Sequence, residues 1–245
     1  MSKLVSMKDT CIRLLTPNDT LDVTIFDTHG DMYPEVRQEL LNIANDVINK
    51  SIGFIPGLKV KDICLNGSCA SYFYHDKSDI DIKIDIVNEN CSFLTTDAEP
   101  LIRFMGYMKS TSFPNHKFSF NGRFVDIKFT SKQQEIMGLY SILNNQWVIV
   151  PDKNITQNLN VDDLMEEYTK RFYQIKEHLR NIIDSGEILT VKGLHDLEKY
   201  YINMYSQSYS SVREFIIFKM LKYRSLIKEI QNTFNDYTKR ALNIE

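Results

Sequence analysis

The run Asp79-Ile80-Asp81-Ile82-Lys83-Ile84-Asp85-Ile86 alternates charged residues with isoleucines without a break. Side chains alternate across a strand with period two, so the pattern sets Ile80, Ile82, Ile84 and Ile86 on one face and Asp79, Asp81, Lys83 and Asp85 on the other. The isoleucine face demands a core. Two carboxylates two positions apart on one face stand roughly 7 Å apart by strand rise. That is close enough to hold one divalent cation between them and a second beside it. Like charges that close are costly without a neutralising cation. Taken alone, an Asp-x-Asp pair equally describes a half-exposed amphipathic strand with a solvated acidic edge.

Two further features keep the pair company. Ile63-Cys64-Leu65-Asn66 reads as an apolar strand running into Gly67-Ser68, ten residues before Asp79. A Gly-Ser turn after a strand can present backbone N–H groups and a hydroxyl to a phosphate, and by itself it is only a turn. Asn121-Gly122 is a hairpin signal. The strand after it alternates Phe124, Asp126 and Lys128 against Val125, Ile127 and Phe129. Asp126 therefore falls mid-strand on a polar face, a position that strands disfavour for Asp outside an edge or a site.

In order and spacing, Leu65-Asn66-Gly67-Ser68, Asp79-Ile80-Asp81-Ile82 and Asp126 resemble the nucleotidyltransferase superfamily typified by DNA polymerase β. The resemblance covers roughly residues 33 to 130 and points to a template-independent member. Two departures accompany it. The residue just before Gly67 is polar, and Cys69-Ala70-Ser71-Tyr72-Phe73-Tyr74-His75 stands where many template-independent members carry an Arg-Gly-Thr-like segment. The resemblance implies transfer of a nucleoside monophosphate from an NTP to an acceptor hydroxyl. Asp79, Asp81 and Asp126 would be the catalytic, metal-binding acids for two Mg²⁺ ions, with Mn²⁺ as a substitute. Gly67 and Ser68 would bind the triphosphate. The acceptor stays open between an RNA 3′ end such as tRNA, a small molecule and a protein side chain. Oligonucleotide synthesis is a further possibility. Rival readings are a non-catalytic nucleotide-binding regulatory module, a toxin–antitoxin component of the same fold, and an unrelated Asp-x-Asp enzyme such as a glycosyltransferase.

Other charged residues have plainer readings. Asp85 lies about 13 Å along the strand from Asp81 and reads as solvated. Asp76 and Lys77 read as loop residues, and Asp62 as a strand-edge residue. Arg213, Lys219, Lys222, Arg224 and Lys228 recur through an apolar helical segment from Ser211 to Ile230. They read as the solvated face of an amphipathic helix whose Phe215, Ile216, Phe218, Met220, Leu221 and Leu226 pack inward. Lys219 and Lys222 are the candidates there to reach a triphosphate. Tyr200, Tyr201, Tyr205 and Tyr209 read as core, and if exposed they would stack on a base. The basic helix and these tyrosines are what favour RNA as acceptor.

A net charge of −3 over 245 residues argues against a protein that coats nucleic acid, without excluding a local groove. Cys11, Cys64, Cys69 and Cys91 form no C-x-x-C pair and the five histidines are scattered, which argues against a zinc site. Met1 to Leu15 holds no continuous apolar stretch and no run approaches ~18 apolar residues, so a cytoplasmic protein is expected.

The expected fold class is α+β, with a small mixed β-sheet domain flanked by helices and followed by a C-terminal helical bundle. Residues 1–32 read as an N-terminal extension with a strand-like piece over 21–26, residues 33–150 as the catalytic domain, and residues 151–245 as the helical domain. Within the catalytic domain, Pro34 opens a helix. A second helix is expected from Pro100 to Ser110, a strand over Lys117–Phe120, a third helix over Lys132–Leu143 and a strand over Gln146–Val150. Helices are expected beyond at 161–184, 190–205 and 210–243.

Overall fold

The computed structural model describes residues 6–53, 55, 57–88, 99–113, 118–131, 135–185, 191–223 and 232. The chain is α+β and divides into two compact units, Pro17–Asn154 and Met1–Thr16 with Ile155–Glu245. The N-terminal segment 1–32 is thus shared between the two.

The first unit is built on a six-stranded mixed sheet. Its elements are α2 (Pro34–Ser51), β1 (Leu58–Asn66), β2 (Ile80–Asn88), α3 (Glu99–Ser112), β3 (Ser119–Phe120), β4 (Arg123–Thr130), β5 (Leu139–Ser141) and β6 (Gln146–Ile149), in sheet order β3-β4-β2-β1-β5-β6. β1 and β2 are antiparallel, while β2 and β4 are parallel. A parallel pair needs a long crossover, and α3 lies within it. The hairpin β3–β4 turns on Asn121 and Gly122 at φ of 47° and 74°, the left-handed pair that a two-residue hairpin requires.

Ile80, Ile82, Ile84 and Ile86 are buried together with Val36, Leu40, Ala44 and Val47 of α2 and with Val125 and Ile127 of β4. The segment 21–26 is a series of turns rather than a strand, and only Phe26 makes a bridge, to Met32. Its role is packing. Phe26 stacks on Trp147 at 5.1 Å and meets Tyr140 edge-on at 5.4 Å, and the Trp147 indole donates to Gly30 O.

The helix expected over 132–143 is corrected. Residues 132–134 lie outside the described residues, and Leu139–Ser141 is strand β5, paired with β1 and β6. Met137, Leu139, Tyr140 and Ile142 are all buried, so this stretch has no polar face from which a period could be read. Sheet pairing decides the matter, and Arg37 satisfies the carbonyls beyond the strand at Ile142 and Leu143, both at 2.7 Å.

The second unit comprises α1 (Met7–Leu15), α4 (Val161–Asp184), α5 (Val191–Gln207) and α6 (Val212–Tyr223). Ser6 and Asp9 form a capping box on α1, and the Asn160 side chain caps α4 by accepting from the amides of Asp162 and Asp163. The helix expected over 210–243 is described from Val212 to Tyr223. Leu226, Arg224 and Lys228 lie outside the described residues.

The residues expected to pack inward on α6, Ile216, Phe218, Met220 and Leu221, are buried and Lys222 is exposed, while the outward basic face is incomplete because Arg213 is paired with Glu167. Ile216, Ile217, Phe218, Met220 and Leu221 are buried on several sides of the helix, so α6 is an inner element of its unit. Arg213 is held by Glu167 at 2.7 Å, and Arg171 of α4 reaches back to Glu214 of α6. Among the described residues no helix is long and apolar enough to cross a membrane.

Candidate functional site

Register places the candidate acids. Asn66 of β1 is the partner of Asp81 of β2, and Asp81 is the partner of Asp126 of β4. Directly opposed residues share a sheet face, so Asn66, Asp81 and Asp126 form a row across three adjacent strands, each step about 4.8 Å. Both carboxylates are about one-third exposed, at 31% and 29%.

Gly67 forms the wall beside this row. Its φ is +74°, and a Cβ built there would stand 2.7 Å from Asp81 Oδ2. Only glycine permits both that backbone conformation and that approach. Gly67–Ala70 is a single 3₁₀ turn closed by Ser71 N–H to Ser68 O, and Ser68 is half-buried on it.

A cation already stands against the carboxylate pair. Lys128 Nζ lies 2.8 Å from Asp126 Oδ2 and 3.9 Å from Asp81 Oδ1. Lys109 of α3 donates to Ile127 O at 2.5 Å. Burial pushes its ammonium below the usual lysine range, with Asp126 pulling it back up.

Asp79 is exposed, one residue ahead of β2. Its carbonyl accepts from the Cys69 thiol at 2.9 Å. Among the described residues no cluster of three or more His, Cys, Asp or Glu side chains is arranged to hold a metal ion. The fold therefore brings together Asp81, Asp126 and the Gly67-Ser68 turn, and leaves the Asp79 carboxylate at the margin. Asp81 and Asp126 fit a divalent cation. Two register-matched oxygen donors already share an ammonium, and a glycine lets the Asp81 carboxylate pack against the backbone of the turn.

Behind the row lies a buried polar layer that the alternation did not disclose. Glu135, with its side chain 1% exposed, accepts from Asn66 Nδ2 at 2.9 Å and from Lys83 Nζ at 3.5 Å. Asp85, expected to be solvated, is buried and meets Lys61 at 3.8 Å. Asp62, expected at a strand edge, is buried too and accepts from Ser141 Oγ at 2.6 Å. Alternation separates faces without saying what each residue of the second one meets, here Ser141 of β5 for Asp62 and Lys61 for Asp85. Glu135 gave no signal because it lies outside any alternating run.

A clamp sits beneath the turn. The Arg123 guanidinium donates to Ser78 O at 2.8 Å, to Asp22 Oδ2 at 2.5 Å and to Cys69 Sγ at 2.6 Å. It thereby ties the 17–32 segment, the Gly67–Ala70 turn and the approach to β2. Burial pushes the Cys69 thiol up to about 12, so it stays protonated.

Lys219 and Lys222 belong to the helical unit. Lys219 lies 5.1 Å from the centroid of the Phe215 ring, and Lys222 is exposed. Tyr200, Tyr201 and Tyr205 are half-buried against the core of that unit, and Tyr209 is half-buried too. Tyr205 and Tyr209 share a hydroxyl hydrogen bond of 2.7 Å, and Tyr205 packs edge-on against Phe218. Compared with family models, curated proteins and solved structures, the chain matches none.

Proposed function

We propose that this chain is a nucleotidyltransferase of the DNA polymerase β-like kind, moving a nucleoside monophosphate from an NTP to an acceptor hydroxyl. The observation that carries the reading is the contact of Gly67 with Asp81, with Asp126 in register beside it. A glycine turn pressed against one of two register-paired carboxylates would set backbone amides for a phosphate beside a cation-binding row. Asp81 and Asp126 would hold Mg²⁺ or Mn²⁺, with Asp79 joining them when nucleotide is present. Bound there, the metal would neutralise the triphosphate and lower the pKa of the acceptor hydroxyl.

The chain's own residues do the rest. The Gly67-Ser68 turn would offer backbone amides to a phosphate, with the Ser68 hydroxyl as a side-chain donor on it. Asp126 would orient the acceptor hydroxyl and take its proton. Lys128 supplies positive charge beside both acids. Catalysis of this type rests on positioning and charge neutralisation, so loss of one acid costs several orders of magnitude in rate. Lys219 and Lys222 remain candidates for a triphosphate contact. The two features that favoured RNA are weakened, since Arg213 is engaged by Glu167 and Tyr200, Tyr201 and Tyr205 pack against a core. RNA 3′ ends and small-molecule hydroxyls therefore enter the test as equals.

The test incubates the protein with each α-labelled NTP, Mg²⁺ or Mn²⁺, and either total tRNA or a small-molecule extract. The control carries Asp81→Asn and Asp126→Asn. Label transferred by the wild type and lost in the control supports the reading, and the acceptor fraction names its class. Nucleotide binding without transfer to any fraction would favour the non-catalytic regulatory module instead.

A further inference from the structure

Asn66 is the end of β1, the register partner of Asp81, and buried at 6% exposure. Its two amide atoms are in opposite situations. Nδ2 donates to Glu135 Oε2 at 2.9 Å, while Oδ1 is buried and has no hydrogen-bond partner. A carboxylate only accepts, so Glu135 fixes which way the amide faces and the oxygen cannot turn toward it. Lys83 balances the Glu135 charge from the other side, at 3.5 Å from the same oxygen. An orphaned buried carbonyl costs free energy unless something fills its lone pairs. Asn66 itself stands in the same row, on the same sheet face, as the two acids.

We propose that Asn66 Oδ1 is a third oxygen ligand of the cation held by Asp81 and Asp126. The inference rests on the cation site of the preceding section. Hard divalent cations accept amide carbonyl oxygens together with carboxylates. Such a ligand is neutral, so it adds coordination without adding to the repulsion between the two acids. Glu135 and Lys83 are then positioning residues that hold the amide with its oxygen toward the row. The polar residue ahead of Gly67, which departs from the apolar one of the resembled pattern, thereby acquires a role.

The experiment is a Mn²⁺ titration followed by electron paramagnetic resonance, with and without a non-hydrolysable NTP analogue, and circular dichroism as the check on folding. Asn66→Leu, which restores the apolar residue type, is expected to weaken Mn²⁺ about tenfold, and Asp126→Asn by more. The double variant Asn66→Asp, Glu135→Gln keeps an oxygen in place and an amide donor facing it, and is expected to bind at least as tightly as wild type. Should Asn66→Leu not fold, that double variant decides, and weaker binding by it overturns the proposal. A folded Asn66→Leu protein that binds Mn²⁺ like wild type, while Asp126→Asn does not, overturns the ligand role and leaves the transferase reading standing. Wild-type protein that binds no Mn²⁺ even with the analogue overturns both.

Discussion

A Cβ on Gly67 would stand 2.7 Å from Asp81 Oδ2, so the glycine and the acid share one space. Gly122 has the same φ of +74° with nothing within 4 Å of its virtual Cβ. The two glycines make a matched pair for experiment. Gly122→Ala is expected to cost about 1–2 kcal/mol from backbone conformation alone, with cation binding intact. Gly67→Ala is expected to cost at least as much and to weaken Mn²⁺ binding several-fold, because Asp81 must move. Urea unfolding and Mn²⁺ titration of both variants check this. Equal effects on binding would count against the contact.

Lys128 and a divalent cation compete for the same oxygens. Its side chain is 56% exposed, so the ion pair contributes little to stability, about 0.2–1 kcal/mol. Lys128→Gln is therefore expected to leave the thermal midpoint nearly unchanged while tightening Mn²⁺ a few-fold. The difference between variant and wild type should shrink as salt is raised. Weaker Mn²⁺ binding by the variant would mean that the lysine supports the site rather than guarding it.

The pair Arg123–Asp22 is of the opposite kind, with side chains 9% and 3% exposed. Asp22→Ala leaves a guanidinium buried without its partner and is expected to destabilise by about 3–5 kcal/mol. Unfolding curves measure the loss. Thiol labelling offers a second readout, since the Cys69 thiol held at about 12 should resist alkylation at pH 8 in wild type and gain reactivity once the clamp opens.

Asp85 supplies a pH-dependent test. Burial pushes its carboxyl above the ordinary carboxylate range, Lys61 pulls it back, and the Asp62 charge adds to the push. A proton held more tightly when folded favours the folded state below the unfolded value, about 3.9. That contribution is lost as pH rises through the folded value. Asp85→Asn, which mimics the protonated form, is expected to raise the urea midpoint at pH 7 and to change it little at pH 3.5. A gain of the same size at both pH values would contradict this account.

The fold was most legible where a period of two ran unbroken. The alternation through Asp79–Ile86 places strand β2 and its buried isoleucines, and Asn121-Gly122 places the β3–β4 hairpin. Register was not legible. That Asp81 stands opposite both Asn66 and Asp126 is settled by pairing between distant segments, which no local pattern carries. The covering of the polar face was hidden for the same reason. Asp85 read as solvated and Asp62 as a strand-edge residue, yet both are buried, and Asp62 meets Ser141 of β5. A wholly buried apolar stretch, as at Met137–Ile142, offers no period at all, and there a helix was expected where a strand forms.

In the proposed reaction the α-phosphorus of a nucleoside triphosphate is the atom transferred. Parallel reactions with α-labelled and γ-labelled NTP, resolved into acceptor and pyrophosphate fractions, test it most directly. The account predicts α-label on the acceptor and γ-label in pyrophosphate, with both lost in Asp81→Asn. Label from the γ-position on the acceptor would make the chain a phosphotransferase and contradict the account.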